Sequence, residues 1–457
     1  MHDMSIDETI MRRRSSYRIS PSTSQPASFT PASLSGLKFW LRADTNVFQT
    51  TGGTTPATTA GHHVNYWGNK VAGAAYDLVA QNTQFGVLQF ESSIPVIDFA
   101  TIGEFQSAAL SDGSPTDVSI HIVVKQAYLN NNYPVVKLCA AAGYSNMVTP
   151  IAGAGAYAFT HSVNTPYQDG SWGVFSFCLR SSTGKVDIYS DGVLVASMAA
   201  TLQTAIDAVQ VGWNGYGDYF GGRMAEIAVQ YADGTADVGN FWTYAKARYA
   251  ALMPTPVTSV VWIADSIMTT GYTGLTFDVP YKACLASGIA KYANLSIAGT
   301  GTPTWIPGAG NTIGISYLTA LTLAAARSPT KKVMVVSFGR NDIGGGSLTV
   351  AQWFANTQTI ANAAVAQGFK VVLGTIIPTG VLGPPDTIMT EATRATANND
   401  LRGFANGTTI FCADTDTTVI NTKPLSGTYS ADGTHVNAAG AAILAPAYTT
   451  AINAAIA

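Results

Sequence analysis

Short apolar segments of alternating polarity run through the first half of the chain. Segments such as SGLKFWLRA, VSIHIVVKQA and MAEIAVQ are rich in Val, Ile and Phe and are separated by Gly, Asn, Asp and Ser, a pattern typical of β-strands. The clearest signal is Asp191-Gly192 between the runs VDIYS and VLVASM, because Asp-Gly at this spacing favours a tight hairpin turn. Residues 34–252 are therefore predicted to form an all-β sandwich, closed by a helix over the amphipathic segment VGNFWTYAKARYAAL.

The pattern changes after Pro254-Thr255-Pro256, which cannot continue a helix and predicts a linker over residues 253–257. Longer helix-like stretches then alternate with five apolar, β-branched runs: VTSVVWIA, YANLSIA, KKVMVVSFG, FKVVLGTIIP and TTIFCAD. Strands that are apolar throughout and alternate with helices indicate a parallel sheet covered on both faces. Residues 258–457 are therefore predicted to be an α/β domain whose functional residues lie at the carboxyl ends of its strands.

Length and composition narrow the class of protein further. The 457 residues suffice for roughly two or three domains, only 11% of them are charged, and the net charge is −3. Neither half has the basic stripe that nucleic-acid binding needs; residues 1–33, which contain the run Arg12-Arg13-Arg14, are polar and predicted to be a flexible leader. No apolar run is long enough for a membrane span, and the first 30 residues lack the apolar core of a signal peptide.

The cysteines and most histidines suggest no metal or redox chemistry. Cys139, Cys178, Cys284 and Cys412 lie in apolar segments without CxxC spacing, which favours buried free thiols, with a Cys139–Cys178 disulfide as the alternative. The adjacent pair His62-His63 does not have the spacing of a helical metal motif. We therefore expect no metal and no cofactor, and no acidic loop demands calcium.

Polar residues stand at the ends of the predicted parallel strands. The groups are Asp265-Ser266 after the first strand, Ala298-Gly299-Thr300 after the second, Gly339-Arg340-Asn341-Asp342 after the third, and Asp432-Gly433-Thr434-His435 before the last helix. A serine hydroxyl needs a base, usually histidine, and the imidazole needs a carboxylate to orient it. Of the six histidines only His435 lies in the second half of the chain, so any imidazole chemistry native to the α/β domain must use it.

The blocks ADS, AGTG, GRND and DGTH, in this order, resemble the four signature blocks of the SGNH (GDSL-type) hydrolases. The resemblance implies a flavodoxin-like sheet of five parallel strands and a serine esterase. It implies that Ser266 is the nucleophile, with Asp432 and His435 completing the triad, and that an oxyanion hole is formed by the Ser266 and Gly299 backbones and the Asn341 side chain. One departure is Ala264, where the family usually has glycine; an altered turn is expected rather than lost chemistry.

The first domain resembles the concanavalin-like, laminin-G-type jelly roll. The segments that carry this resemblance are LKFWLRAD, VDIYSDGVLVA and GGRMAEIAVQ. They imply a sandwich fold and a carbohydrate-binding role, and they say little about the ligand.

Several of these residues also have structural interpretations. Ser266 could cap a helix, and Asp265 is expected to bond backbone near the first turn. Arg340 is equally compatible with substrate contact and with a surface position. Aromatic side chains near the motifs could stack on a sugar, although core packing is favoured for each: Trp305, Tyr272, Trp353 and Tyr429. In the first domain the aromatic residues are mostly core candidates: Trp40, Tyr66, Trp67 and Trp213.

The preferred hypothesis is a carbohydrate esterase that removes acetyl or similar short acyl groups from a polysaccharide held by the lectin-like sandwich. The alternative is a bacteriophage tail receptor-binding protein whose SGNH domain deacetylates surface glycan. A lipase or thioesterase is disfavoured, because no lipophilic lid is evident near the motifs. The expected partner is an acetylated polysaccharide or glycoconjugate, and no nucleic acid or membrane span is expected. A homo-oligomer or a virion assembly is possible, and the expected location is extracellular or virion-associated.

Overall fold

The structure is a computed structural model of the chain. It describes residues 29–457 apart from the internal segments 72–75, 82–84, 100–102, 111, 114, 127–135, 140–146, 149–155, 159–160, 164–170, 200–205, 207, 213–219, 269–277, 290, 309–310, 312, 314, 328, 379–388, 417–427 and 431. The predicted leader, residues 1–33, lies largely outside the described part. Its last residues, Pro31–Ser33, form a short 3-10 turn.

The described part of the N-terminal region is built from antiparallel strands. In chain order they are β1 (Leu37–Arg42), β2 (Val47–Phe48), β3 (His63–Val64), β4 (Tyr66–Trp67), β5 (Leu78–Ala80), β6 (Gly86–Glu91), β7 (Ile94–Asp98), β8 (Phe105–Ser107), β9 (Asp117–Gln126), β10 (Val136–Cys139), β11 (Met147–Val148), β12 (Ala156–Ala158), β13 (His161–Val163), β14 (Trp172–Arg180), β15 (Lys185–Ser190), β16 (Val193–Ala199), β17 (Ala208–Val211) and β18 (Gly222–Gln230). One sheet runs β16-β15-β14-β9-β18-β7-β6-β3, with β1 also paired to β18, and a second runs β11-β10-β17-β8-β5-β4-β2. The antiparallel sandwich predicted from the sequence is therefore confirmed.

Alternation along the central strand β9 shows how the sandwich buries its core. Ile120 and Ile122 are fully buried in the same apolar cluster as Phe105 of the second sheet. Val123, which points to the opposite face, packs with Phe241 of the helix α1 (Val238–Arg248). Because side chains in a strand alternate between faces, one strand contributes both to the space between the sheets and to the contact with the closing helix. The helix predicted from VGNFWTYAKARYAAL is confirmed.

The hairpin predicted at Asp191-Gly192 joins β15 and β16. Both turn residues have positive φ, 49° for Asp191 and 81° for Gly192, as the tight turns favoured in hairpins require. Cys178 on β14 is a buried free thiol, so the Cys139–Cys178 disulfide considered as an alternative is not formed.

The C-terminal region is a parallel sheet with helices on both sides. Its strands are β19 (Thr258–Ala264), β20 (Tyr292–Asn294), β21 (Lys331–Ser337), β22 (Lys370–Gly374) and β23 (Ile410–Ala413). Its helices are α2 (Val279–Ala286), α3 (Thr302–Trp305), α4 (Tyr317–Ala326), α5 (Val350–Ala366), α6 (Glu391–Phe404) and α7 (Ala438–Ile456). Within the described residues the strand order is β20-β19-β21-β22-β23, all parallel, which is the flavodoxin-like order and confirms the predicted fold class.

Helix α7 is long and apolar enough, by length and composition, to cross a membrane. Its residues Leu444, Tyr448 and Ile452 recur every four positions and are buried in one cluster with Val372 and Ala413 of the sheet. This spacing places one face of the helix on the sheet. The apolar composition of α7 is therefore explained by its packing against the sheet as a core helix.

A buried ion pair joins the two regions at the tip of the β15–β16 hairpin. The Asp191 carboxylate, 1% exposed, accepts from Arg327 Nε at 3.2 Å and lies 3.6 Å from Lys291 Nζ. Lys291 also donates to the Trp172 carbonyl at 2.7 Å. A cavity of about 120 Å³ lies beside this contact and is lined in part by residues 253–256, so the segment predicted as a linker forms part of the interface. The domain boundaries themselves stay a prediction.

Candidate active site

Ser266 lies in the turn that follows β19, at the carboxyl edge of the parallel sheet. The strand ends at Ala264, which is fully buried and whose carbonyl accepts from Ile297 N at 3.1 Å. Asp265 points inward, 3% exposed, and its Oδ1 accepts from Ile267 N at 3.0 Å. Burial raises the pKa of Asp265 to about 7. The strand and the inward-facing Asp265 together hold Ser266 at the sheet edge.

His435 and Asp432 lie together in the loop before α7. Asp432 Oδ1 accepts from the backbone N–H groups of Thr434 and His435, each at 2.8 Å. Ser430 Oγ lies 3.2 Å from the same oxygen and accepts from Gly433 N at 2.8 Å. Partial burial acts to raise the pKa of Asp432, but the hydrogen bonds from His435 and Thr434 outweigh it and hold that pKa well below its usual range. The loop thus presents a carboxylate that stays ionised.

A continuous hydrogen-bond chain links the three side chains. His435 Nε2 lies 2.9 Å from Ser266 Oγ, and His435 Nδ1 lies 2.5 Å from Asp432 Oδ2. A carboxylate can only accept, so Nδ1 carries the proton and Nε2 is left to accept from the serine hydroxyl. In this tautomer the imidazole can take the hydroxyl proton, which is the arrangement that activates a serine nucleophile.

Gly299 and Asn341 border the same edge of the sheet from two neighbouring strand ends. Gly299 follows β20 with φ +75°, and the position of its missing Cβ faces open space. Asn341 belongs to a π-helical turn, Arg340–Gly344, after β21. Its Nδ2 donates one hydrogen to the Thr300 carbonyl at 2.9 Å, and an amide nitrogen carries two. The bond to Thr300 therefore fixes the orientation of the amide and uses only one of its two N–H hydrogens.

Asp342 anchors this turn to the loop after β20. Its Oδ1 accepts from Thr302 N at 2.7 Å and from Thr302 Oγ1 at 2.6 Å. Gly301 packs so closely against the carboxylate that a Cβ there would lie 2.8 Å from Asp342 Oδ1. Oδ1 of Asp342 is thus occupied with a backbone and a hydroxyl contact, and these bonds also restrain the preceding residue, Asn341.

The groups surround an open cleft of about 390 Å³. Its lining residues in the described part of the chain are Ser266, Gly299, Arg340, Asn341, Gly344, Gly345, Thr434 and His435. None of these residues has an aliphatic side chain or a phenyl, phenol or indole ring, and three are glycine. Apart from the glycines, the described residues that line the cleft therefore have polar side chains.

Other candidates from the sequence fall outside this cleft. Trp305 and Trp353 are fully buried, so they cannot stack on a sugar; Tyr429 is half-buried and packs against the α7 cluster, and Tyr272 lies outside the described residues. Arg340 does border the cleft, which favours the substrate-contact interpretation over a plain surface position.

Most of the aromatic residues predicted to lie in the core of the sandwich are buried or half-buried. Trp40 and Trp67 are buried and Tyr66 is half-buried, while Trp213 lies outside the described residues. No group of three potential metal ligands occurs among the residues that the structure describes. His62 Nδ1 instead accepts from backbone N–H groups of its own loop.

Sequence reasoning missed the residues that support the site. Thr300, Thr302 and Ser430 bond Asn341, Asp342 and Asp432 respectively. Ser430 was within reach of sequence analysis, because a serine hydroxyl at a turn commonly bonds a backbone group a few residues further along the chain. The other two contacts join residues about 40 positions apart and carry no local signal.

Comparison with known proteins assigns the class. Residues 265–443 match the model of the GDSL-like Lipase/Acylhydrolase family. This match covers the C-terminal region only, which therefore resembles a GDSL-type acylhydrolase domain, and it supports an ester-hydrolysing activity for that region. The described fold of that region agrees with the assignment.

Solved structures similar to the chain include three crystal structures. A GDSL-like lipase from Bacteroides thetaiotaomicron is 19% identical, with 46% of this chain and 95% of that chain covered and a TM-score of 0.31. A carbohydrate acetylesterase family member from Sinorhizobium meliloti is 14% identical, covering 44% and 99%, with a TM-score of 0.35. A Bacillus subtilis protein is 11% identical, covering 93% and 95%, with a TM-score of 0.37. A search of curated proteins gave no match.

Proposed function

We propose that the protein is a serine esterase that removes O-acetyl groups from a polysaccharide, with Ser266 as nucleophile, His435 as base and Asp432 as the carboxylate that orients it. The observation that carries the proposal is the hydrogen-bond chain from Ser266 Oγ through the imidazole to Asp432 at the edge of an open cleft.

In the first half of the reaction Ser266 Oγ attacks the carbonyl carbon of the ester while His435 Nε2 takes the hydroxyl proton. The tetrahedral intermediate collapses as the protonated imidazole gives that proton to the leaving sugar oxygen. A water molecule, deprotonated by His435, then attacks the acyl-enzyme. Acetate leaves as Ser266 recovers its proton from the imidazolium. Asp432 stabilises the imidazolium in both halves, and its lowered pKa supports this role.

The negative charge of each tetrahedral intermediate needs donors aimed at the oxyanion. We assign this role to the backbone N–H groups of Ser266 and Gly299 and to the side-chain amide of Asn341. All three residues line the cleft. The bond from Asn341 Nδ2 to the Thr300 carbonyl supports the assignment, because a donor that is already oriented loses little on reaction.

The polar lining of the cleft supports a short acyl group. Each buried methylene of a long acyl chain gains about 0.8 kcal/mol only where apolar surface receives it. The described lining offers glycine, amide, hydroxyl, imidazole and guanidinium groups instead. An acetyl ester on a hydrated sugar needs no apolar channel. We include glycan binding by the β-sandwich in the same proposal because its segments resemble the laminin-G-type jelly roll. The buried Asp191 joins the sandwich to the hydrolase region.

Hydrolysis of p-nitrophenyl esters of increasing chain length, together with acetate release from acetylated xylan, tests the proposal. Ser266→Ala and His435→Ala should each lower kcat by about 10⁴-fold or more. The control His63→Ala, at an exposed histidine stacked on Phe85 in the sandwich, should retain wild-type rates. Wild-type enzyme that prefers octanoate to acetate, or a Ser266→Ala variant that keeps its activity, would contradict the proposal.

A further inference from the structure

A buried asparagine on helix α6 holds the backbone of Ile376, which lies two residues past the end of β22. Asn398 is fully buried; its Oδ1 accepts from Ile376 N at 2.8 Å, and its Nδ2 donates to the Ile376 carbonyl at 3.0 Å. A side-chain amide has the donor and the acceptor of a peptide group, so Asn398 takes the place of a strand neighbour. Turning the amide over would set like groups against each other, and its orientation is therefore fixed.

The Ile376 carbonyl receives a second donor from the same face of α6. Arg394 lies four positions before Asn398, the spacing that places two side chains on one face of a helix. Its Nη1 donates to the Ile376 carbonyl at 2.8 Å, and its guanidinium is also bonded to Asp416 and Glu391. Helix α6 thus holds Ile376 through both of its backbone polar groups.

The side chain of Ile376 packs directly against the start of the turn that carries Asn341. Gly339 has φ +131°, and a Cβ added there would lie 2.4 Å from Ile376 Cδ1. The π-helical turn then closes as Ile343 N donates to the Gly339 carbonyl at 3.0 Å. Because packed interiors transmit small displacements, a shift of Ile376 would change the point from which this turn begins.

Asn341 therefore has two separate supports. The Thr300 carbonyl orients its amide at 2.9 Å, and the contact between Gly339 and Ile376 determines where its backbone lies. Neither Asn398 nor Ile376 is among the described residues that line the cleft. Any influence of these two residues on the reaction must therefore pass through the turn.

We propose that Asn398 is a positioning residue for the oxyanion hole, because it holds Ile376 against the turn from which Asn341 donates to the tetrahedral intermediate. Donors stabilise the transition state most when they already point at the developing charge. A displacement of about 1 Å that originates far from the reacting atoms can cost about 10²-fold in rate. The inference rests on the esterase activity and the oxyanion hole proposed above, and adds the residue that maintains the geometry of the hole.

The substitution Asn398→Leu tests the proposal, since leucine is similar in size and makes neither bond to Ile376. It should lower kcat on p-nitrophenyl acetate by about 10- to 100-fold with little change in KM, because the lost stabilisation belongs to the transition state. In the Asn341→Ala background the same substitution should change kcat by no more than about twofold, because the donor that it positions is already absent. A purely structural role would lower kcat by the same factor in both backgrounds, and that result would overturn the proposal.

Two further variants separate positioning from loss of folded protein. Ile376→Val removes Cδ1, the atom nearest to the Cβ position of Gly339, and buried cores usually tolerate this change. It should lower kcat by a smaller factor than Asn398→Leu, again only while Asn341 is present. Asn399→Leu is the matched control, because Asn399 is the exposed neighbour on the same helix, where its Oδ1 accepts from Arg402. It should keep the wild-type kcat.

The outcomes distinguish this inference from the proposed function. If Asn341→Ala lowers kcat but Asn398→Leu and Ile376→Val do not, the positioning role is wrong and the esterase stands. Where Asn398→Leu does not fold, Ile376→Val decides in the same way. If Asn341→Ala leaves kcat unchanged, its oxyanion role and this inference both fall, while the effect of Ser266→Ala still tests the nucleophile. If the wild-type enzyme hydrolyses no ester, the proposed function falls as well.

Discussion

The substitution Asp191→Asn tests the contact that joins the sandwich to the hydrolase region. Asn is nearly isosteric with Asp, and it tolerates the positive φ of 49° at this hairpin position. Its side-chain oxygen can still accept from Val174 N, as Asp191 Oδ1 does at 3.2 Å. The variant therefore changes one charge and leaves the turn unaltered.

The magnitude follows from the burial of the pair. The side chains of Asp191 and Arg327 are each 1% exposed, and their N–O distance is 3.2 Å. Removing one partner of a buried ion pair costs about 3–5 kcal/mol, because the remaining buried charge loses the attraction of that partner. Lys291 is more exposed and keeps its bond to the Trp172 carbonyl. We expect the lower end of the range, a loss of about 3 kcal/mol in the free energy of unfolding.

The effect should depend on pH in a defined direction. Burial acts to raise the pKa of Asp191, but Lys291 and Arg327 outweigh it, and the pKa in the folded state is lowered. A carboxylate with a depressed folded pKa contributes stability above its unfolded pKa of about 3.9, and that contribution is lost as the pH falls through the folded value. The difference between wild type and Asp191→Asn should be full at pH 7 and should shrink below about pH 4.

Urea denaturation followed by fluorescence at pH 7 and at pH 3 measures the difference in the free energy of unfolding between wild type and Asp191→Asn. Hydrogen exchange of β16 and α4, which contact each other at the interface, reports whether the contact loosens. Asp117→Asn is the control, since Asp117 accepts from Ser181 N at 2.9 Å at another turn of the same sheet. An unfolding midpoint equal to that of wild type at pH 7, or a loss of stability as large at pH 3 as at pH 7, would contradict the expected role of the Asp191 charge.

Three further predictions concern the site and the turn that supports it. Asp432→Asn should lower kcat on p-nitrophenyl acetate by about 10⁴-fold, because the amide no longer selects the required imidazole tautomer; a loss below tenfold would count against the role of this carboxylate. Asn341→Ala should lower kcat by about 10²–10³-fold with little change in KM, since the lost donor acts on the transition state; an effect confined to KM would contradict this. Gly301→Ala should destabilise the protein by about 1–3 kcal/mol in urea denaturation, because the new Cβ meets Asp342 Oδ1 at 2.8 Å. In the control Gly403→Ala, on α6 with nothing within 4 Å of the Cβ position, the same assay should show equal or greater stability than wild type, as glycine in a helix is unfavourable.

The elements with strong periodic patterns were predictable, and their borders were less so. All five apolar runs of the second half became parallel strands, and the Asp191-Gly192 signal became a hairpin turn. The segment VPYKACLASGIAKY, by contrast, is helical only over Val279–Ala286, because Gly288 takes a positive φ of 68° that ends the helix. The short helix α3 and the π-helical turn at Arg340 had no periodic signal and were not predicted.

The candidate site was predictable because parallel strands bring their carboxyl ends together. Once the strands were recognised, Ser266, Gly299 and Asn341 had to lie along one edge, and His435 was the single histidine of that half of the chain. The short spacing between Asp432 and His435 allowed one loop to present both. These inferences depend on chain order and local spacing, which the sequence displays directly.

The contacts that support the site at Asn341 and the interface at Asp191 join residues far apart in the chain and carry no local sequence signal. Asp191 looks like an exposed turn residue in the sequence, yet it is buried against Arg327, 136 positions away. The orientation of Asn341 likewise depends on the Thr300 carbonyl, 41 positions away. The strands, the hairpin and the set of reactive side chains can therefore be predicted from the amino-acid sequence, because they follow from periodicity and local turn chemistry. The burial of a charge and the direction of an amide depend on which distant surfaces pack together, and only the folded chain brings those surfaces into contact.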